Sequence, residues 1–374
     1  MRLLAFLICW LYAVSHVSAF PAEFQYISPD NKSTSLDTPR KRWVSLLFDY
    51  RGAEPWPRTP GKNYVYIRYC FPTKQIRDEA KCFFEQAIDL WGMTLGGFPS
   101  ERSAHAVVVT EAKTPDKKPM LCYKQFNGVE KEWTDGLPED ALVVMVTDDE
   151  GDDEATTGYR REGGPGRHSL KISRKTLKDK EVYRVAHEFG HVLGMGHEHQ
   201  RKDRDHFIGF KCEALDGYDE AYNKAKSDNP TMRTEEIQTK LCEDWGFSNK
   251  YHFTSPQAFH VESASEASDT FDWDSIMLYD SDQGGSRCSS DMEECPMLKG
   301  FTDTTTGRVT WSRFQGGRKP SKGDADFVRH LYPYYPPSIG IRPDVPPKPP
   351  SLQQPPKPGP PPLPPRPTHA GVHG

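Results

Sequence analysis

The chain has 374 residues and a formal net charge of −5, from 48 basic and 53 acidic side chains. That balance argues against a generic nucleic-acid binder, which needs a dominant positive surface. Beyond the amino-terminal segment no apolar run approaches the roughly twenty residues needed to span a bilayer, so no transmembrane anchor is expected.

In chain order, Arg2 precedes the apolar run Leu3 to Val14, and the small residues Ser18 and Ala19 follow. This predicts a secretory signal peptide over 1–19, cut after Ala19, and an exported, soluble protein with no membrane partner. Arg40-Lys41-Arg42 then closes a polar stretch without apolar periodicity. It reads as a cleavage site for an activating processing protease at Arg42, with 20–42 as a short pro-peptide and a mature chain from Trp43; the alternative is a merely basic loop. Asn31-Lys32-Ser33 is a glycosylation sequon.

Tyr64 to Tyr69 alternates as a strand, Ile76 to Leu90 has helical periodicity, and Ala106 to Thr110 and Ala141 to Thr147 are apolar strands. Asp148 to Glu154 is acidic but lacks the glycine-centred spacing of a calcium loop, so a solvated loop is expected. His168 to Ser173 alternates Leu170 and Ile172 with polar residues. It is either an edge strand at a cleft, able to bind an extended peptide by backbone pairing, or a plain surface strand.

The segment from Val185 to Asp205 reads V-A-H-E-F-G-H-V-L-G-M-G-H-E-H-Q-R-K-D-R-D. His187 and His191 are one helical turn apart and project from one face, where two imidazoles can share a metal ion. Glu188 sits one step round the helix, where a carboxylate reaches a water in the site without being a ligand. Gly194 permits the left-handed backbone that ends a helix, and the chain returns to deliver His197 as a third ligand. Three protein ligands leave one position open, which is the pattern of a catalytic rather than a structural zinc site. The bland reading, an amphipathic helix burying Val185, Phe189 and Val192, explains the apolar face but gives no reason for three histidines and a glutamate to converge.

A second segment, Phe271 to Tyr279, holds Met277, which alone would be an ordinary core methionine. Taken together, H-E-x-x-H-x-x-G-x-x-H-E-x-x-R-x-D-R-D from His187 to Asp205 and S-I-M-x-Y from Ser275 to Tyr279 resemble the astacin family of zinc endopeptidases, in the metzincin class. The resemblance implies an α+β, metzincin-like catalytic domain over 43–335, acting on protein or peptide substrates. It would have two subdomains: an amino-terminal twisted mixed sheet with two long helices, and an irregular carboxy-terminal half with a terminal helix from Lys322 to Tyr332.

The resemblance also assigns roles. His187, His191 and His197 would hold one Zn2+ ion. Glu188 would act as general base and then proton donor, while Tyr279 would be a fifth ligand that swings away to stabilise the oxyanion. Glu198 would meet the amino terminus freed by processing, and Arg201, Asp203, Arg204 and Asp205 would form a charged structural run instead of a solvated loop. A pro-peptide acid, Asp30 or Asp37, would occupy the metal before activation. Leu278 departs from the family's usual histidine and Met195 from its usual phenylalanine; neither position supplies a ligand.

Of eight cysteines, Cys9 would leave with the signal peptide. The seven others favour disulfides in an oxidising compartment, with one thiol left free or intermolecular. Cys288 and Cys295 can close a small loop, Cys212 and Cys242 bracket a polar, helix-prone insertion, and Cys122 is expected to pair with Cys70 or Cys82. Connectivity borrowed from the family does not transfer, because no cysteine lies just before His187 or near Tyr332.

From Pro336 onward about two residues in five are proline, so 336–374 is expected to be an extended or disordered tail. Pro361 to Pro367 resembles a ligand of SH3-type domains, but in an exported chain a spacer is the better reading. The competing functional reading is a secreted, zinc-bound, metzincin-like binding protein that does not turn over, and the intact Glu188 speaks against it. A weaker third reading makes the tail the principal function.

Overall fold

The computed structural model describes residues 44–45, 53–60, 62–126, 131–148, 153–262, 266–267, 270–303, 305–306 and 308–336. The expected leader, the pro-peptide with Asp30, Asp37 and the Asn31 sequon, the Arg42 cleavage site and the tail beyond Pro336 lie outside the described residues.

After a short strand β1 (Val44–Ser45), β2 (Val65–Cys70) alternates buried Val65 and Ile67 with half-buried Tyr66 and Arg68, as one covered sheet face requires. Helix α1 (Lys74–Leu95) starts where Thr73 Oγ1 accepts the Ile76 amide and stops at Gly96, whose φ of 86° lies in the left-handed region. Its buried stripe is Ala80, Phe84, Ala87, Trp91 and Leu95, spaced by three or four residues. There follow β3 (Val107–Glu111), a hairpin of β4 (Tyr123–Phe126) and β5 (Lys131–Trp133), then β6 (Leu142–Thr147), β7 (Glu154–Ala155), β8 (Ser169–Ser173), α2 (Arg174–Asp179) and α3 (Val182–Val192).

The main sheet runs β3-β2-β6-β8-β7, with the first four strands parallel and β7 antiparallel at the edge. β8 is therefore not an edge strand. Its one side pairs Leu170 with Val144, and its other pairs Leu170 with Ala155. A two-residue strand such as β7 carries no readable periodicity, which is why the true edge escaped the sequence reading. Both α1 and α3 lie on one face of the sheet, locked to each other by Trp91, whose Nε1–H donates to Ala186 O at 2.9 Å.

The carboxy-terminal half is less irregular than expected. It contains β9 (Ile208–Phe210), α4 (Tyr218–Asp228), α5 (Thr234–Glu243), α6 (Trp245–Lys250), β10 (Glu266–Ala267), β11 (Met297–Thr302), β12 (Val309–Ser312) and the terminal α7 (Lys322–Leu331). β9, β11 and β12 form an antiparallel sheet, and β10 pairs with β1. This half has its own apolar cluster, in which Ile237, Leu241, Phe253, Phe259 and Met297 are buried. The strands are short, and Gly209 and Gly300 interrupt them because the Trp311 ring lies where their Cβ atoms would stand, at 2.7 and 2.9 Å.

Disulfides join Cys70 to Cys122, Cys212 to Cys242 and Cys288 to Cys295. Cys82 is disulfide-bonded too, and no described cysteine is free. Among the described residues no helix is long and apolar enough to cross a membrane.

Candidate active site

α3 carries the first two histidines. Its buried Val185, Ala186, Phe189 and Val192 face the core, which leaves His187 and His191 side by side on the opposite flank. Gly194, at a φ of 98°, donates its amide to His191 O at 2.8 Å and reverses the chain. A side chain there would be strained, so the turn that brings His197 back depends on glycine.

The three imidazoles converge. His187 Nε2 and His191 Nε2 lie 3.2 and 3.1 Å from His197 Nε2, and all three ligand atoms fall within 4.8 Å of one another. Every Nδ1 faces an oxygen: Ile276 O at 2.7 Å for His187, Met195 O at 2.9 Å for His191 and Gln200 Oε1 at 2.6 Å for His197. Those acceptors assign the ring protons to Nδ1, so three Nε2 lone pairs point at one another. Such an arrangement is repulsive unless a cation sits between them, and a tetrahedral zinc with bonds of about 2.0–2.1 Å separates its nitrogens by about 3.3–3.4 Å. The donor set therefore fits zinc. Burial also lowers the proton affinity of all three rings, favouring the neutral form a metal requires.

Glu188 is 7% exposed. Burial pushes its carboxyl up to about 8, Asp153 adds to the rise and Arg184 opposes it. Asp153 was expected in a solvated loop. Its side chain is instead buried, accepting from Ser173 N, Thr176 Oγ1 and Arg184 Nε at 2.8, 2.6 and 2.7 Å, while residues 149–152 of that loop lie outside the described residues.

Beneath the imidazoles, Met277 presses its sulfur onto α3: a Cβ added at Gly190 would stand 2.4 Å from Met277 Sδ. The turn that holds Met277 is tied to the site at two carbonyls, Ile276 O receiving His187 Nδ1–H and Met277 O receiving the Glu198 amide at 3.0 Å. Gly316 and Gly317 cross this turn so closely that a Cβ would lie 1.8 Å from Leu278 O or 2.3 Å from Asp274 O. Leu278 is buried in the second apolar cluster, and Met195 in the first.

Tyr279 stands among the histidine rings, 4.6 Å from His197 and 6.0 Å from His187 between centroids. Burial, with Glu188 adding to it, pushes its phenol up to about 12. Glu198 is buried next to His197, its Oε1 accepting from Arg201 Nη1 at 2.7 Å and from the Asp272 amide at 2.8 Å. Its expected partner, the amino group of Trp43, lies outside the described residues. Arg201 is fully buried and also bonds Asp203 and Thr270 O; Arg204 reaches Phe259 O and Asp205. The run from Arg201 to Asp205 is thus structural, not a solvated loop.

Three contributors were missed in the sequence. Gln200 and His199 hid among the unassigned positions of the motif. Asp324 had a signal, the S-x-x-D of a capping box at Ser321, but nothing pointed it at a turn some fifty residues upstream.

The family model of the Astacin peptidases matches residues 161–239, which include all three histidines. Among solved structures, the chain is similar to high choriolytic enzyme 1, a hatching enzyme zinc-protease from the medaka fish Oryzias latipes. Identity is 14%, the match covers 74% of this chain and 94% of that one, and the TM-score is 0.42. Comparison with curated proteins returned no match.

Proposed function

We propose that this chain, which the Astacin family model matches over residues 161–239, is an astacin-family metalloendopeptidase that is exported, processed at Arg42 and cuts internal peptide bonds of protein substrates, with Glu188 and Tyr279 as its catalytic side chains. The observation that carries the reading is the convergence of three unprotonated Nε2 atoms, at 3.1 and 3.2 Å, in a metal-ligand group that no fourth histidine, cysteine or carboxylate joins among the described residues.

His187, His191 and His197 would hold the zinc ion, which would supply Lewis acidity toward the scissile carbonyl and the attacking water. Glu188 takes the proton from that water and passes it to the nitrogen of the leaving amine. Its buried setting raises its proton affinity towards neutrality, where a group that must first accept and then donate works best. Tyr279 keeps its phenolic proton near neutral pH for the same reason of burial. It can therefore donate a hydrogen bond to the oxyanion as charge develops. The short antiparallel β7 at the sheet edge gives an extended substrate a backbone to pair with, which accepts many sequences.

The test is cleavage of a denatured protein by the processed form, with and without a chelator, beside Glu188→Ala. Activity that is lost in chelator and restored by zinc, and absent from the alanine variant, is expected. Chelator-resistant cleavage, or full activity of Glu188→Ala, overturns the mechanism.

A further inference from the structure

Four rings surround the phenol of Tyr279. His199 stacks on it, 4.2 Å between centroids and 29° between planes, while Phe259 meets it edge-on at 6.0 Å. The other two rings are the ligands His187 and His197. His199 is not part of the metal group, and the chemistry above gives it no task.

Its surroundings make the choice of imidazole costly. His199 is 0% exposed, and Nε2 lies 2.9 Å from Ala258 O, which makes Nε2 the donor. Nδ1 is then an acceptor, and it has no hydrogen-bond partner among the described residues. A buried acceptor left unpaired is unfavourable, so an apolar side chain of similar volume would fill the same space with less penalty. What an apolar side chain would not reproduce is a flat ring whose plane is set by a hydrogen bond. That plane also stacks on the ligand His197, 5.0 Å away at 27°.

We propose that His199 is a positioning residue for Tyr279, a flat support anchored at Ala258 that fixes where the phenol stands over the site. This rests on the role given to Tyr279 above. A phenol held against a fixed ring delivers its hydroxyl with little reorganisation as the oxyanion forms. Because His199 is buried and touches no substrate, loosening it weakens transition-state binding and leaves ground-state binding alone.

The experiment uses the processed, zinc-loaded enzyme and compares His199→Leu, His199→Phe, Tyr279→Phe and the Leu/Phe double variant. It reads kcat and KM, the affinity for a phosphinic peptide of the substrate sequence, bound zinc and the thermal midpoint. His199→Leu is expected to lower kcat and phosphinic-peptide affinity about tenfold with KM within about twofold. Zinc content should not change, His199→Phe, which keeps the ring but not the bond to Ala258, should restore part of kcat, and His199→Leu should have little effect on top of Tyr279→Phe. An unchanged kcat in His199→Leu while Tyr279→Phe lowers it overturns the positioning role alone, as does additivity in the double variant. An unchanged kcat in Tyr279→Phe removes the role of Tyr279 and the proposal with it. Should His199→Leu fail to hold zinc, His199→Phe against His199→Gln gives the same contrast, ring kept against ring lost, and equal kcat in those two overturns the proposal.

Discussion

Asp324, in the first turn of α7, accepts a 2.7 Å hydrogen bond from Ser275 Oγ, and both residues are buried. The other Asp324 oxygen takes the amides of Ile276 and Ser321 at 2.9 and 2.8 Å. Since Ile276 O orients His187, the cap of the last helix reaches the first metal ligand through a single residue. Helix capping and ligand orientation are here one network.

Its pH dependence has a definite sign. Burial first, then the neighbouring Asp272, raises the Asp324 carboxyl from 3.8 to about 6. The folded state therefore holds a proton between pH 3.8 and 6 that the unfolded state has released. The associated stability is present below 3.8 and is lost as pH rises through about 6. Asp324→Asn, which does not titrate, should gain on the wild type by a few kcal/mol, at most about 3, across that window. Thermal unfolding of both forms in a pH series checks it, and a pH-independent gap between them would disprove it.

Gln200 should act on the metal and not on the fold. Its Oε1 takes the His197 Nδ1 proton and so aims Nε2 at the site. Gln200→Leu removes that acceptor and is expected to weaken zinc binding by about 10–100-fold, with a much smaller change in thermal midpoint of the zinc-loaded protein. Competition with a chromophoric chelator measures this; unchanged zinc affinity would refute it.

Gly190 sets two effects against each other. In the middle of a helix, glycine to alanine normally stabilises by about 1 kcal/mol. Here the new Cβ would stand 2.4 Å from Met277 Sδ and 3.4 Å from Trp91 Cζ2, both in the buried core. Overpacking of this kind costs about 1–3 kcal/mol, so the clash wins and Gly190→Ala should be the less stable protein. Met277→Ala in the same chain should recover part of the loss. Urea unfolding decides, and a stabilised Gly190→Ala would show that the turn yields freely.

How much of this was legible depended on the range over which each signal acts. The helix that carries His187 and His191, and the turn at Gly194, are encoded within eight residues, so spacing alone anticipated that three imidazoles meet. The alternating strands β2 and β8 and the apolar strands β3 and β6 were found within a residue or two. β7 was not, because two residues carry no period, and with it went the identity of the sheet edge. Asp324 and His199 were invisible for a different reason. Their partners, Ser275 and Tyr279, are brought to them only by tertiary packing across 49 and 80 positions, and no local pattern records such a meeting.

The pairing of Arg201 with Glu198 shows the same limit and yields the largest expected effect. Side-chain exposures are 0% and 1%, and the contact is 2.7 Å. Replacing Arg201 with methionine keeps much of the volume but leaves the Glu198 carboxylate buried with the Asp272 amide, and strips Thr270 O and Asp203 of a donor. Breaking one side of a buried pair costs about 3–5 kcal/mol, chiefly through the charge left behind. If that is the cause, Glu198→Gln added to Arg201→Met should restore a substantial part of the stability, since the amide removes the stranded charge. Urea denaturation of the two single variants and the double variant tests this directly. A double variant no more stable than Arg201→Met alone would place the loss in the contacts to Thr270 and Asp203 instead of the charge.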